Sequence, residues 1–176
     1  AFDRMSKAIL SQGVEMRALG MLKFESDSIE TVELFKNMYK AGFLMLFFGL
    51  ESANDRILSI IEKGCDQATE KRVLENSSLA GIWNHLYLFF GFPTEEKHEA
   101  QETIDFTVQH SELGDGTIHS VGQSVFSLEK DSAIYHDPAK FQINRILRDP
   151  ERDMAIIFDY EIEKGMTKDK FWMFTK

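Results

Sequence analysis

The sequence has few cysteines, few prolines and no long apolar run. Cys65 is the one cysteine among 176 residues, and a single thiol excludes an internal disulfide framework. It also excludes a zinc site or an iron–sulfur cluster built from this chain's thiolates alone, because such sites use three or four. We therefore expect an intracellular, cytoplasmic protein. No stretch reaches the roughly 18 apolar residues that a membrane-spanning helix needs.

Basic residues are also scarce relative to acidic ones. The 20 Lys and Arg residues face 29 Asp and Glu residues, which gives a net charge of -9. A protein that binds nucleic acid or an anionic membrane needs a basic face, so we expect neither partner. Hydrophobic residues make up 43% of the chain, which is typical of a globular protein with a buried core.

The most informative pattern is an internal repeat of the string Leu-Phe-Phe-Gly, at residues 46–49 and again at 88–91. Each copy is preceded by Ala-Gly and an apolar residue and is followed by a polar, acidic segment. A helix that ends in Gly, a short apolar strand and a new helix together form one βα unit. The repeat therefore predicts strands alternating with helices, a parallel sheet, and ligands at the carboxyl ends of the strands.

The same reasoning assigns the individual elements. Strands are predicted at 14–24, 43–48, 82–90 and 117–127, and helices at 2–12, 67–79, 95–111 and 151–163. Two further helices are predicted to begin at capping boxes, Asp27 with Glu30 and Ser52 with Asp55. Four βα units amount to half of an eight-stranded barrel. The predicted fold is thus α/β, a partial parallel (β/α) barrel over residues 1–127, with a C-terminal extension over 128–176 that packs on it.

The end of the second predicted strand carries the first candidate site, Gly49-Leu50-Glu51-Ser52. Glycine lets a ligand approach the backbone, Glu51 can accept hydrogen bonds from a ribose diol or an amine, and Ser52 can donate or accept one. The alternative is that Ser52 caps the next helix and Glu51 complements the helix dipole, which is the commoner use of such residues.

Two further candidates lie at other strand ends. Gly91-Phe92-Pro93 ends the next strand, where Pro93 makes the turn rigid and the Phe92 ring could cover a base; a plain βα turn is the alternative. Arg17, assigned to the end of the first strand, could hold a carboxylate or phosphate, although a surface arginine is commoner.

The remaining reactive side chains show no pattern of a site. The five histidines (85, 98, 110, 119 and 136) lack the spacing of metal ligands, and Cys65 is interpreted as a bystander thiol. No glycine-rich phosphate loop and no serine nucleophile elbow is present in the sequence.

Taken in order, several short strings resemble radical S-adenosylmethionine (radical SAM) enzymes. They are Phe48-Gly49-Leu50-Glu51-Ser52, Lys63-Gly64, Ala80-Gly81-Ile82, Gly91-Phe92-Pro93-Thr94-Glu95-Glu96 and Glu102-Thr103. The resemblance covers residues 14 to about 127 and is strongest to the branch with B12-dependent and methylthiotransferase-like members. The stretch Asp131–Tyr135 with Pro138 also resembles the segment after that family's sixth strand.

The resemblance implies a fold, cofactors and site residues. The family's core is a partial (β/α)6 barrel whose first strand is followed by a Cys-x-x-x-Cys-x-x-Cys loop that holds a [4Fe-4S] cluster. The cluster reduces S-adenosylmethionine and yields a 5′-deoxyadenosyl radical. Glu51 and Ser52 would then contact the ribose and methionine portion, Gly91, Phe92 and Pro93 would lie near the adenine, and Arg17 falls where several members carry an arginine.

This chain departs from the family in lacking the three-cysteine loop. The resemblance therefore implies the half of the barrel from the third to the sixth strand of an iron–sulfur oxidoreductase-type enzyme, inactive by itself. S-adenosylmethionine, the [4Fe-4S] cluster and, in B12-dependent members, cobalamin are cofactors of the parent enzyme. The strand at 14–24 would have an unpaired edge, covered by the missing N-terminal half, by a second copy or by the tail.

Two other interpretations stay open at this point. The chain could be a non-catalytic, barrel-derived domain that binds a protein through its acidic edge or its aromatic tail, Phe171, Trp172 and Phe174. An ordinary α/β barrel fragment that acts on phosphorylated substrates is disfavoured, because the sequence has no glycine-rich anion site.

Overall fold

The computed structural model describes residues 1–24, 31–148 and 154–166. Along the chain the elements are α1 (Phe2–Ser11), β1 (Ala18–Leu22), α2 (Val32–Lys40), β2 (Phe43–Glu51), α3 (Asp55–Ile60), α4 (Gln67–Leu79), β3 (Trp83–Phe90), α5 (Lys97–His110), β4 (Ser120–Val125), β5 (Leu128–Glu129), α6 (Ala133–His136), a 3-10 helix (Pro138–Phe141), β6 (Ile143–Leu147) and β7 (Ile157–Ile162). The strand and helix alternation predicted for residues 2–127 is confirmed.

The larger sheet has the strand order β1-β2-β3-β4. β1 runs parallel to β2, and β2 runs parallel to β3. β4 follows the same direction, because the backbone N–H of His119 donates to Asn84 O (3.0 Å) and that of Phe126 donates to Phe90 O (2.8 Å). The α/β class with a parallel sheet is therefore confirmed. In the part of the chain that the structure describes, β1 and β4 are edge strands and the sheet does not close into a barrel.

The chain divides into two compact units, each described here by itself. The first comprises residues 1–88 and 102–122, and the second comprises residues 89–101 and those from 123 onward. The predicted boundary between residues 127 and 128 is a division along the sequence and stays a prediction.

The first unit is built around one buried face of the sheet. Leu46, Phe48 and Leu50 of β2 are fully buried, as period-two alternation requires. The ring of Phe24 stacks on that of Phe48 at 4.8 Å between centroids, and Phe35 of α2 is fully buried as well. Deleting a buried Phe side chain from such a core costs about 3–5 kcal/mol, so these contacts hold the end of β2 in place.

The N-cap residues of the helices in this unit differ from the predicted ones at α3. Thr31 caps α2, Asn54 caps α3 and Asp66 caps α4, each accepting a bond from the backbone N–H three residues on. The prediction that Ser52 caps α3 is therefore wrong, because Asn54 performs that role. The capping box of Asp27 with Glu30 lies outside the described residues.

The second unit contains an antiparallel sheet that the sequence did not indicate. Its strand order is β5-β7-β6, with β7 antiparallel to both neighbours. The helix predicted over 151–163 is wrong where the structure describes it, since 157–162 form β7 with strictly alternating exposure. The Phe92 ring packs edge to face against two others in this unit, with its centroid 5.1 Å from that of Phe126 and 6.1 Å from that of Phe141.

No helix in the described ranges is long and apolar enough to cross a membrane.

Candidate functional site

The carboxyl end of β2 bends so that Glu51 turns back over Gly49. The backbone of Glu51 has a φ of 67°, a left-handed conformation that costs a non-glycine residue about 1–2 kcal/mol. A Cβ built on Gly49 would lie 2.4 Å from Glu51 Oε1, so only glycine leaves room for this carboxylate. Strain of this kind persists where the surroundings fix it, and it is common at binding sites.

A lysine from the segment after α3 meets this carboxylate. Lys63 Nζ lies 3.3 Å from Glu51 Oε1, and the lysine side chain is only 12% exposed, against 30% for the glutamate. The backbone N–H of Lys63 donates to Leu58 O at 3.0 Å, which ties the segment to α3. The Glu51 carboxylate and the Lys63 ammonium thus form a pair at the end of β2. The left-handed backbone of Glu51 directs the first group, and the Lys63 hydrogen bond to Leu58 O holds the segment that carries the second.

The pair lies on the less buried face of the sheet, here called the open face and defined by Leu19, Met21, Met45, Phe47, Gly49, Trp83, His85 and Tyr87. In the register of the sheet Met21 pairs with Phe47 and Phe47 with His85, while Gly49 pairs with Tyr87. Trp83 is 60% exposed and Tyr87 is 43% exposed. The open face thus joins an aromatic surface to the charged pair.

Two histidines on or beside the open face are oriented by neighbours. His85 Nδ1 is hydrogen-bonded to Ser120 Oγ at 2.7 Å, and its ring packs against Phe47 and Tyr87 at centroid distances of 5.1 and 4.7 Å. His119 Nδ1 accepts from Asn84 N at 3.2 Å and its ring stacks on Trp83. Both rings are therefore held in place by a hydrogen bond at Nδ1 and by an aromatic neighbour.

Ser52 supports the turn from inside the fold. Its side chain is fully buried, its Oγ accepts from Asn54 N (3.1 Å) and shares a hydrogen bond with Thr103 Oγ1 (3.2 Å). Thr103 Oγ1 also accepts from Ala53 N at 3.0 Å. These bonds anchor residues 52–54 to α5, so Ser52 helps to hold the Glu51 turn. Its predicted contact with a cofactor stays a prediction.

Behind the pair lies a buried carboxyl group that sequence reasoning missed. Glu70 of α4 is fully buried, and burial raises its pKa to about 9 although the nearby Lys63 charge opposes the shift. Cys65 Sγ lies 3.9 Å from Glu70 Oε1, and Oε2 has no hydrogen-bond partner among the described residues. Glu70 is therefore neutral at pH 7, and a glutamate inside a polar helix gives no signal of this in the sequence.

The Gly91-Phe92-Pro93 turn, in the second unit, is buried. The Gly91 N–H donates to the Glu95 carboxylate at 2.5 Å, and Gly91 O accepts from Tyr160 Oη at 3.4 Å. Phe92 is 1% exposed inside its phenylalanine cluster. The Phe92 ring is thus part of the core of this unit, and its predicted position over a base stays a prediction.

Arg17 is misplaced in the sequence prediction. β1 begins at Ala18, so Arg17 precedes the strand instead of ending it. Ala18 pairs with Phe43, the first residue of β2, and the Ala18 N–H donates to Gly42 O. Arg17 is exposed at the amino-terminal edge, whereas Glu51 stands at the carboxyl edge, and the two do not come together.

The other histidines pair with acids: His98 with Glu96, His110 with Asp115 and His136 with Asp131. Among the described residues no group of three or more His, Cys, Asp or Glu side chains could hold a metal ion.

Comparison with known proteins finds likeness only in structure. No family model and no curated protein matches the chain. The cobalamin-dependent S-adenosylmethionine radical enzyme OxsB is 16% identical over 60% of this chain and 16% of its own, with a TM-score of 0.52. The radical S-adenosylmethionine methyltransferase TsrM from Kitasatospora setae is 16% identical over 73% of this chain and 25% of its own, with a TM-score of 0.57.

A third solved structure extends the match. Coproporphyrinogen III oxidase (HemN) from Escherichia coli, a radical SAM enzyme, is 12% identical over 86% of this chain, with a TM-score of 0.58. The chain spans between 16% and 33% of the length of these three proteins. The fold of this chain is thus shared with part of several radical SAM enzymes, as the resemblance in the sequence implied.

Proposed function

We propose that the chain is part of a radical SAM enzyme and supplies one side of the S-adenosylmethionine cleft. The observation that carries the proposal is the Glu51 carboxylate, held back over Gly49 at the carboxyl end of a central parallel strand. Ligands of open α/β sheets bind outside the carboxyl ends of the strands. The likeness of fold to three radical SAM enzymes supports the same placement.

The residues present fit the nucleoside part of this cofactor. A carboxylate accepts two hydrogen bonds from a vicinal diol, and Glu51 offers its side chain at 30% exposure while the strained backbone fixes its direction. Glu51 is therefore the proposed cofactor-binding residue, and Ser52 with Thr103 holds its turn. Gly91, Phe92 and Pro93 are buried in the second unit and enter the proposal only as the scaffold of the next βα turn.

The residues present do not fit an iron–sulfur cluster. The chain has one cysteine, and thiolate-held clusters use three or four. The [4Fe-4S] cluster and any cobalamin would belong to the rest of the parent enzyme, and we propose that this chain alone catalyses no reaction. Its own contribution is to bind and orient the nucleoside.

The partner proposed for β1 is the N-terminal half of the same enzyme, and a second copy of the chain is the alternative. Among the described residues β1 is an edge strand, and an edge strand offers backbone N–H and C=O groups to an incoming strand. Leu19 and Met21, on the open face of this strand, are 63% and 74% exposed. An incoming parallel strand would place its own side chains beside both residues and extend the row Met21-Phe47-His85.

Binding of a nucleoside to the whole 176-residue chain tests the cofactor proposal. In a ¹H–¹⁵N NMR titration with 5′-methylthioadenosine we expect shifts at Gly49, Glu51 and Lys63, and none with 5′-methylthio-2′,3′-dideoxyadenosine, which differs only in lacking the diol. Glu51→Gln should weaken binding about tenfold to a hundredfold, since a hydrogen bond to a charged group contributes about 1.5–3 kcal/mol. Equal shifts with both nucleosides would contradict the proposal.

A protein-interaction domain is the second candidate function, favoured by the exposed Leu19 and Met21. Sedimentation of the wild type and of the Leu19→Lys/Met21→Lys double variant separates the two candidates. A stable self-association that the double variant abolishes, together with no nucleoside binding, would favour the interaction domain.

A further inference from the structure

The strongest feature that the proposed function leaves unexplained is Lys63. A lysine ammonium is strongly hydrated and is seldom withdrawn from water without a charged partner. Lys63 nevertheless has a side chain only 12% exposed, with its Nζ 3.3 Å from Glu51 Oε1. Its backbone position is set by the bond from its N–H to Leu58 O and by Glu62, which adopts a φ of 54°. The chain therefore directs this lysine toward β2.

The pair shares the space that a side chain at position 49 would fill. A Cβ at Gly49 would lie 2.4 Å from Glu51 Oε1 and 3.3 Å from Lys63 Nζ. The two charged groups thus lie together over one glycine, on the open face of β2. Lys63 Nζ donates a hydrogen bond to Glu51 Oε1, so the contact is directional as well as ionic.

The pairing has a consequence for what Glu51 can bind. The ammonium takes one of the roughly four lone-pair positions of the carboxylate, which leaves positions on both oxygens for the two hydroxyl groups of a diol. Because the Glu51–Lys63 pair has no net charge, a cationic ligand gains little from Coulomb attraction at this site. A neutral hydroxyl group of a ligand still finds an oriented hydrogen-bond acceptor in the Glu51 carboxylate. Fixing a flexible side chain before binding also lowers the entropic cost of association.

We propose that Lys63 is a positioning residue, which fixes Glu51 in its ligand-binding conformation and biases the site toward the neutral diol of a nucleoside rather than an amine. The inference rests on the proposed function, because it names which part of the cofactor Glu51 reads and what holds it. Lys63 itself does not contact the ligand.

The test is an NMR titration of the whole chain with 5′-methylthioadenosine, a neutral nucleoside with a free diol. Lys63→Met should weaken binding about threefold to tenfold, the range expected when one side chain loses its fixed conformation. Lys63→Arg should stay within about twofold of the wild type, because it restores a cation beside Glu51. Lys71→Met is the matched control, since Lys71 pairs with Glu75 on an exposed face of α4 and should not change binding.

A double-mutant cycle separates positioning from loss of structure. In the Glu51→Gln background, Lys63→Met should have no further effect on nucleoside binding, because the lysine acts through the carboxylate. Lys63→Gln is the second variant, and a ¹H–¹⁵N spectrum confirms that each variant is folded. Methylamine, the probe for an amine ligand, should compete weakly with the nucleoside in the wild type and more strongly in Lys63→Met.

Two outcomes overturn the inference in distinguishable ways. If the wild type binds the nucleoside and Lys63→Met behaves like Lys71→Met, or weakens binding equally in the Glu51→Gln background, the positioning role is wrong and the proposed function stands. If the wild type fails to distinguish 5′-methylthioadenosine from its dideoxy counterpart, the proposed function fails and the inference fails with it.

Discussion

The buried Glu70 makes stability depend on pH in a direction that can be measured. Burial raises the pKa of this carboxyl from 4.5 to about 9, and its side chain is fully enclosed. The folded protein therefore keeps the proton at neutral pH, whereas the unfolded chain releases it. A group with a raised pKa in the folded state contributes its full stability below the unfolded value and loses it as the pH rises toward the folded value.

The size of the effect follows from linkage. Between the two pKa values the folded state binds one more proton than the unfolded state, so stability falls by about 1.4 kcal/mol for each pH unit. From about pH 5.5 to about pH 8 the loss is about 3 kcal/mol, a large share of the total stability of a small protein. Glutamine at position 70 keeps the shape of the protonated acid and never ionises.

The assay is urea unfolding followed by circular dichroism across this pH range. Glu70→Gln should match the wild type near pH 5 and exceed it by about 3 kcal/mol near pH 8. Glu75→Gln is the control on the same helix, because the Glu75 side chain is 44% exposed in a surface ion pair with Lys71. Such a pair contributes about 0–1 kcal/mol, so this control should run parallel to the wild type. Curves for Glu70→Gln and wild type that stay parallel at every pH would refute the argument.

Three further predictions, the last with a control variant, test the residues that position the Glu51 turn. Thr103→Val leaves the Ala53 N–H without its partner, removes one of the two hydrogen bonds of Ser52 Oγ, and should lower the unfolding free energy by about 1–3 kcal/mol. Thr103→Ser should retain most of the stability, and equal stability of both variants would contradict the assigned bonds. Asn54→Ala removes the cap of α3 and should cost about 1 kcal/mol in the same assay, and no loss would mean that another residue caps the helix. Gly49→Ala should abolish the nucleoside shifts by displacing the Glu51 carboxylate, with the fold retained in the NMR spectrum. Gly13→Ala, at a φ of 64° in open space, should cost about 1 kcal/mol and leave those shifts unchanged.

The parallel part of the fold could be predicted because its signals are local. Apolar strings that end in glycine define β2 and β3, and predicted helices at 2–12 and 67–79 correspond to α1 and α4 within one residue at either end. Each of these elements depends on periodicity and on end residues a few positions away. The edge position of β1 was expected from the resemblance and agrees with the strand order.

The antiparallel sheet could not be predicted in the same way, because its pairing joins distant residues. β5 is two residues long and pairs with β7 through Leu128 with Phe158 and Glu129 with Ile157. Neither segment has a strong pattern alone, and the ladder stabilises them only once both are in place. A helix over 151–163 was the local interpretation, and tertiary pairing overrode it in the described part.

The cap of α3 shows the same limit within the site. Ser52 followed by Asp55 satisfies the local pattern of a capping box. Its hydroxyl is instead engaged by Thr103, 51 residues away in sequence, and Asn54 takes the cap. Lys63 could have been singled out only as part of a Lys-Gly pair after a helix, since its proximity to Glu51 arises from the turn at Glu62.

The two copies of Leu-Phe-Phe-Gly have identical sequences but lie in different surroundings. In both copies the leucine and the second phenylalanine are buried, so each string forms the same kind of strand. The glycines differ: position 49 leaves space for the Glu51 carboxylate, whereas Gly91, at a φ of 73°, lies in a turn whose residues are buried. The register pairs Glu51 with Leu88, so the second copy begins beside the end of the first. The repeat therefore marks equivalent βα units, and the proposed ligand site lies at the first glycine, where the Glu51 and Lys63 side chains occupy the space that a Cβ would fill.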